Sequence, residues 1–209
     1  MIVTLDGERL KGAFPDETLQ ALVEEVRRAR LGDRLVVSVT LDGQLLLDQE
    51  LTERLNEPVG DVNHVELISA DPHELVSSAL REVAEQLESA AENEAVVANQ
   101  LQSGEMPEAA AAFSEFLQVW QACQRTIVGC SGLLGKDLTT MHSGGKPIRA
   151  HLDSLTDKLR ELRDAFEARD TVLLSDLFQY EMPQTCRTWQ DILNELATNL
   201  AGQTGAPAS

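Results

Sequence analysis

Near Asp71-Pro72 the spacing of apolar residues changes from about two to about three and a half, the repeats that separate a pleated strand from a helix. One packed element cannot satisfy both repeats, so the change divides the 209-residue chain into two parts of different class. The expected fold is α+β, with an N-terminal strand-rich domain over residues 1–70 and an antiparallel four-helix bundle over 71–201. Residues 202–209 are expected to form a disordered tail.

Before the break, β-branched runs alternate with turn dipeptides. Met1 to Leu5, Asp6-Gly7 and Glu8 to Ala13 read as a hairpin, because Asp-Gly accepts the positive φ angles of the tight turn that matches strand twist. Arg34 to Leu41, Asp42-Gly43 and Gln44 to Asp48 repeat the device. Between them, Asp16 to Leu31 predicts one amphipathic helix, with Leu19, Leu22, Val23 and Val26 on one face, Asp16 as N-cap and Gly32 beyond the end. Leu51 to Leu55 suggests a single helical turn. Asn63 to Ser69 alternates like a half-buried strand, with one slip at Ile68.

This order of hairpin, helix, hairpin, turn and strand resembles the ubiquitin-like β-grasp fold. The resemblance covers a third of the chain and implies a small sheet that offers a protein-binding surface. Modifiers of that family end in a free Gly-Gly tail whose carboxylate is activated. Here the last strand runs into Asp71-Pro72-His73-Glu74, so the resemblance does not imply conjugation chemistry.

Asp71-Pro72-His73-Glu74 has the form of a helix start: a capping residue, a proline where no backbone donor is lost, and an acid three residues on. The helix is expected to run to about Gln102, with Val76, Leu80, Val83, Leu87, Ala90, Val97 and Leu101 inward. Pro107 opens a second, in which Phe113, Phe116, Trp120, Cys123, Ile127, Cys130, Leu134, Leu138 and Met141 step by threes and fours. Ser143 to Pro147 is an interhelical turn. Ile148, Leu152, Leu155, Leu159, Leu162 and Phe166 mark a third helix, and Asp170 caps a fourth that runs to about Leu200. Pro183 lies inside that fourth helix and is expected to bend or break it.

Charge narrows the classes of function. The chain carries 17 Lys and Arg against 35 Asp and Glu, a net charge of -18. Phosphate backbones and anionic membrane surfaces repel such a chain, so neither nucleic acid nor membrane is an expected partner. The excess is concentrated: residues 71–124 hold ten acids and one base, whereas 125–170 hold seven acids and eight bases. A charged partner is therefore expected near Glu82 to Glu94, presenting Lys or Arg. No run of apolar residues reaches the roughly 18 to 20 needed to span a bilayer, and Met1 leads directly into a strand-like run, so a cytoplasmic location is expected.

The motifs that carry chemistry are sparse. Cys123, Cys130 and Cys186 are an odd number, and the first two are about 10 Å apart along one helix, so no disulfide framework is expected; Cys123 and Cys130 fall in its apolar stripe and read as small core residues. His64, His73, His142 and His151 form no metal-ligand spacing, and no metal or cofactor is expected. Ser143-Gly144-Gly145-Lys146 is followed by Pro147 where a phosphate loop needs Ser or Thr. Gly129, Gly132 and Gly135 each weaken a helix interior by roughly 1 kcal/mol relative to Ala. They are expected to admit a neighbouring helix or the strand-rich domain closely, to mark a kink or helix break, or to leave a shallow groove for a partner peptide or helix.

Asp176-Leu177-Phe178-Gln179-Tyr180-Glu181-Met182-Pro183, with Trp189 beyond, is similar to a segment of uncharacterised bacterial helical proteins, Asp-Leu-Leu-x-Tyr-Glu-x-x-Pro followed by Trp. Here Phe178 replaces the second Leu and the proline comes one residue early. The Tyr180 hydroxyl is expected to satisfy a carbonyl freed by the bend, or to join Asp176 and Glu181 in a polar pocket. The whole reads as a non-catalytic, cytoplasmic protein-interaction protein (adaptor, chaperone or regulator) with Gly129, Gly132, Gly135, Asp176, Tyr180, Glu181 and Trp189 as candidate partner-binding residues. A homo-oligomer built through a bundle face is a further expectation. The alternative reading is a small-molecule-binding bundle or enzyme with its polar site around Tyr180.

Overall fold

The computed structural model describes residues 1–11, 18–104 and 106–202. The expected N-cap Asp16, the end of the first hairpin at Ala13 and the tail beyond Gly202 lie outside the described residues. The fold is α+β, an N-terminal mixed sheet followed by helices. The chain divides into two compact units, Met1–Leu75 and Val76–Ser209.

In the first unit, β1 (Ile2–Leu5), β2 (Glu8–Arg9), β3 (Leu35–Leu41), β4 (Gln44–Leu45) and β5 (His64–Ala70) form one sheet in the order β2-β1-β5-β3-β4. β1 runs parallel to β5 and the other pairings are antiparallel. Both Asp-Gly pairs adopt the expected left-handed turns, with φ of 52° and 81° at Asp6-Gly7 and 47° and 87° at Asp42-Gly43. Their second strands are only two residues long, shorter than the sequence suggested. The turn aspartates have a further role, because each side chain reaches the central strand. Asp6 accepts from the Ser69 amide at 2.7 Å and the Ser69 hydroxyl at 2.6 Å, and Asp42 accepts from the His64 amide at 2.8 Å. β5 is thus held near both ends by acids that sequence reading assigned only to turns.

α1 (Leu19–Val26) begins at Thr18, whose hydroxyl accepts from the Ala21 amide at 3.3 Å, and it passes into a π-helical turn, Arg27–Leu31, that stops at Gly32. Leu19, Leu22 and Val26 pack with Val3, Val39, Leu41, Val65 and Leu67 in one core. The expected turn at Leu51–Leu55 is a longer helix, α2 (Asp48–Arg54).

In α3 (Pro72–Ser103), the Asp71 carboxylate accepts from the His73 amide at 2.7 Å, which is the cap that the sequence implied. α4 (Met106–Leu134) is shorter than expected. Gly135 takes φ 61°, and the Lys136 amide bonds back to the Ser131 carbonyl at 3.1 Å, closing the helix in a left-handed cap. A 3₁₀ turn at Leu138–Thr140 and a small hairpin, β6 (His142–Ser143) and β7 (Lys146–Pro147), lead to α5 (Ile148–Ala168).

The last helical rod is three pieces, where a helix bent or broken at Pro183 was expected: α6 (Thr171–Asp176), a π-helical turn at Leu177–Glu181, and α7 (Met182–Ala201). Pro183, which has no N–H to donate, falls in the first turn of α7. The Met182 amide just before it reaches back five residues to the Leu177 carbonyl, so one extra residue is absorbed and the rod continues past the proline.

One core joins α3 to α7, and its aromatic rings touch in sequence. Phe166 stacks on Phe113 at 5.2 Å, Phe113 and Phe116 meet Phe178 at 6.0 and 5.4 Å, Phe116 meets Trp120 at 6.0 Å, and Trp120 meets Trp189 at 6.2 Å. Cys123, Cys130 and Cys186 are buried free thiols within this core.

Candidate functional site

The π-helical turn places the segment that the sequence singled out. Tyr180 is 66% exposed, and its hydroxyl makes no hydrogen bond to a freed carbonyl among the described residues, so the expected structural role does not hold. Tyr180, Glu181 and Trp189 instead line a shallow cleft of about 310 Å³ between α5 and α7, together with His151, Lys158 and Thr188. Lys158 and Glu181 form an ion pair across it. Trp189 is buried against Trp120, and the His151 ring meets it edge-on at 6.5 Å while an imidazole nitrogen lies 3.1 Å from the Ser143 carbonyl. Asp176 is exposed on the preceding helix and is not part of this lining.

Of Gly129, Gly132 and Gly135, only Gly135 behaves as expected, by marking a helix break. Gly129 and Gly132 are exposed, and a Cβ built on either would meet nothing within 4 Å, so no neighbouring helix comes close and no groove is formed by their small size. Gly135 is the helix stop described above and not an interior residue. These three positions and the Tyr180 segment form no common site.

The face of the sheet turned away from α1 is more informative. Strand pairing places Arg9, Thr4, Glu66, Thr40 and Leu45 in one row across it, with Ile2 beside His64 and Ile68 beside Ser38. Ile2, Leu45 and Ile68 are large apolar side chains at 41, 48 and 37% exposure around that polar row. The slip in alternation at Ile68 is therefore an outward-facing apolar residue, since Val65 and Leu67 keep the core face.

On α3, Glu82, Glu85 and Glu88 are exposed, as the acidic outer face requires. Glu94 departs from that expectation. It is 1% exposed, in register with Leu80, Leu87 and Leu101 at steps of seven, so a carboxyl occupies a core position. Its Oε1 accepts from the Cys186 thiol at 3.2 Å, and its Oε2 has no hydrogen-bond partner among the described residues. Burial pushes the Glu94 carboxyl up to about 7, against the opposing influence of the Cys186 hydrogen bond and the Arg187 charge. Burial also raises the Cys186 thiol, with the neighbouring carboxylate adding to it, and lifts Cys123 to about 12. The seven-residue register was the sequence signal that could have found Glu94. Counting it with the surface acids concealed it.

Among the described residues no three of His, Cys, Asp and Glu are grouped to hold a metal ion, and no helix is long and apolar enough to cross a membrane. Fold and surface together define a two-unit α+β protein with a mixed sheet open on one face and a helical unit that buries a carboxyl. The chain belongs to a family described as a domain of unknown function, DUF8042, whose model matches residues 78–192. That match begins in α3 and ends in α7, within the helical unit. Neither the curated proteins nor the solved structures yield a match to the chain.

Proposed function

We propose that this is a non-catalytic, cytoplasmic protein-interaction protein, an adaptor, chaperone or regulator in which a ubiquitin-like β-grasp unit is joined to a four-helix bundle. The observation that carries this reading is the open sheet face, where Ile2, Leu45 and Ile68 stand exposed around Thr4, Thr40 and Glu66. Large apolar side chains within a polar surround are the composition of a transient protein interface. The mixed strand order, with β1 parallel to β5 and α1 on the opposite face, supports the β-grasp reading. The acid excess selects a partner that presents Lys or Arg around an apolar centre.

The test uses the full chain and a variant carrying Leu45→Asp and Ile68→Asp as baits in native lysate. Both positions face outward, so the core at Val65 and Leu67 is untouched and circular dichroism should be unchanged. A partner retained by the wild type should be lost at least about tenfold by the variant, equivalent to about 1.4 kcal/mol, and should weaken as salt rises. Retention that the double substitution leaves intact would overturn the reading. A second copy of the chain as partner would show in the same pair as a change of mass by light scattering.

The cleft beside Tyr180 supports a second reading, a polar small-molecule site, because Tyr180, Glu181 and Lys158 share one opening. A thermal-shift panel of metabolites distinguishes it: a ligand at about 100 times its Kd adds roughly 2.7 kcal/mol. Tyr180→Phe should abolish that shift without lowering the melting temperature of the free protein.

A further inference from the structure

A larger cleft, of about 490 Å³, opens between α3 and α4 and shares no lining residue with the cleft beside Tyr180. Its wall is apolar, made by Ala90, Val97, Ala112, Phe116 and Val119, and Glu94 belongs to the lining. Glu115, Gln86 and Ser89 are exposed and polar at the mouth. The Glu94 side chain is 1% exposed, yet among the described residues only one of its oxygens has a partner.

A buried carboxyl with an orphan oxygen is costly, because the lost hydration is not replaced. Replacing Glu94 by a leucine, as at the equivalent steps Leu80, Leu87 and Leu101, would remove the cost without altering the repeat. A carboxyl kept beside a cleft has a chemical use that a leucine lacks: it can accept from, and neutralise, a donor brought in by a ligand. Its Oε1 already receives the Cys186 thiol, so Oε2 is the atom left for that donor.

We propose that the α3–α4 cleft binds a small amphiphilic amine, with its apolar body against Phe116, Val97 and Val119 and its ammonium on Glu94 Oε2. An ammonium supplies the charge-assisted hydrogen bond that the orphan oxygen lacks. Glu115 at the mouth and the net charge of -18 favour a cation and disfavour an anion of the same shape. Oε2 itself is shut off from solvent, so the ammonium reaches it only when side chains around it shift. This site shares no residue with the sheet face, so its failure would leave the interaction reading standing, and the reverse also holds.

The experiment is calorimetric titration of the full chain with tryptamine, 2-phenylethylamine and octylamine, each paired with its neutral alcohol and its carboxylate counterpart. At least one amine should saturate at one per chain, with its alcohol at least about tenfold weaker and its carboxylate weaker still. Glu94→Gln keeps the shape and removes the charge that the ammonium contacts, so most of the amine's advantage over its alcohol should be lost. Ala112→Trp fills the cleft without replacing the carboxyl and should abolish binding of both. Circular dichroism checks that each variant folds; if Ala112→Trp does not, Glu94→Gln alone decides. The proposal is overturned if none of the three amines binds at up to about 10 mM, a Kd weaker than about 3 kcal/mol of affinity. It is equally overturned if an alcohol matches its amine in the wild type, or if Glu94→Gln leaves the preference for the amine intact.

Discussion

At the scale of single residues, Glu94 and the glycines of α4 make opposite demands on the chain. Gly129 lies inside a helix, exposed, with open space where a Cβ would sit. Gly129→Ala should therefore raise stability by about 0.5 to 1 kcal/mol in urea unfolding. Gly135→Ala should lower it by roughly 1 kcal/mol, because φ 61° is left-handed and the helix cap depends on it. Glu94 gives a dependence on pH. Its carboxyl ordinarily titrates at 4.5 and is held at about 7 in the folded protein. Below the lower value both folded and unfolded chains are protonated, and the folded state bears no penalty. As pH rises toward 7, the unfolded chain releases a proton that the folded chain retains, and stability falls by about 3 kcal/mol before levelling off. The stability of Glu94→Gln relative to wild type should grow by that amount between about pH 4.5 and about pH 8, measured by urea unfolding at each pH. Cys123 and Cys130 were legible as core residues because they share the apolar stripe of α4. Glu94 shares the corresponding stripe of α3, but a charged side chain reads as surface until its register is counted.

At the scale of elements, the best-read parts are those where a cap, a period and a stop coincide. α3 has all three, with Asp71 as cap and Gly104 as stop, whereas α5 has an uninterrupted period but no side-chain cap at its start. The misread parts are those where a local signal had two outcomes. Gly132 and Gly135 look alike in sequence, yet one is helical and the other ends α4, and only the backbone angle separates them. Pro183 signals disruption without saying whether the chain kinks, breaks or absorbs a residue. The Asp-Gly turns were legible as turns, but their hold on β5 depends on partners about 20 and 60 residues away in sequence, beyond any local pattern. Asp6→Ala removes two hydrogen bonds to Ser69 and places an alanine at φ 52°, so the sheet unit should lose about 2 kcal/mol, read by amide exchange along β5. The Ser69 hydrogen bonds hold the Asp6 carboxyl below its usual range. That support is present above the unfolded value of 3.8 and is lost as pH falls through the lower folded value.

At the scale of the whole molecule, the division into sheet and helical units was legible because the apolar period changes once, near Asp71, while the observed division falls between Leu75 and Val76. Neither candidate cleft could be read from the sequence, since each is formed by two helices whose facing residues are far apart in the chain. The rings from Phe166 to Trp189 form the spine of the helical core, and Phe178 is where Phe113 and Phe116 meet. Phe178→Ala should cost about 3 to 5 kcal/mol in the unfolding of that unit. The distribution of rings has an optical consequence. Of the eight aromatic residues only Phe14 precedes α3, and both tryptophans and the single tyrosine belong to the helical unit. Absorbance at 280 nm and intrinsic emission therefore come from one unit alone. A melt followed by tryptophan fluorescence would report a single transition and remain blind to the sheet, even if β1 to β5 had already come apart.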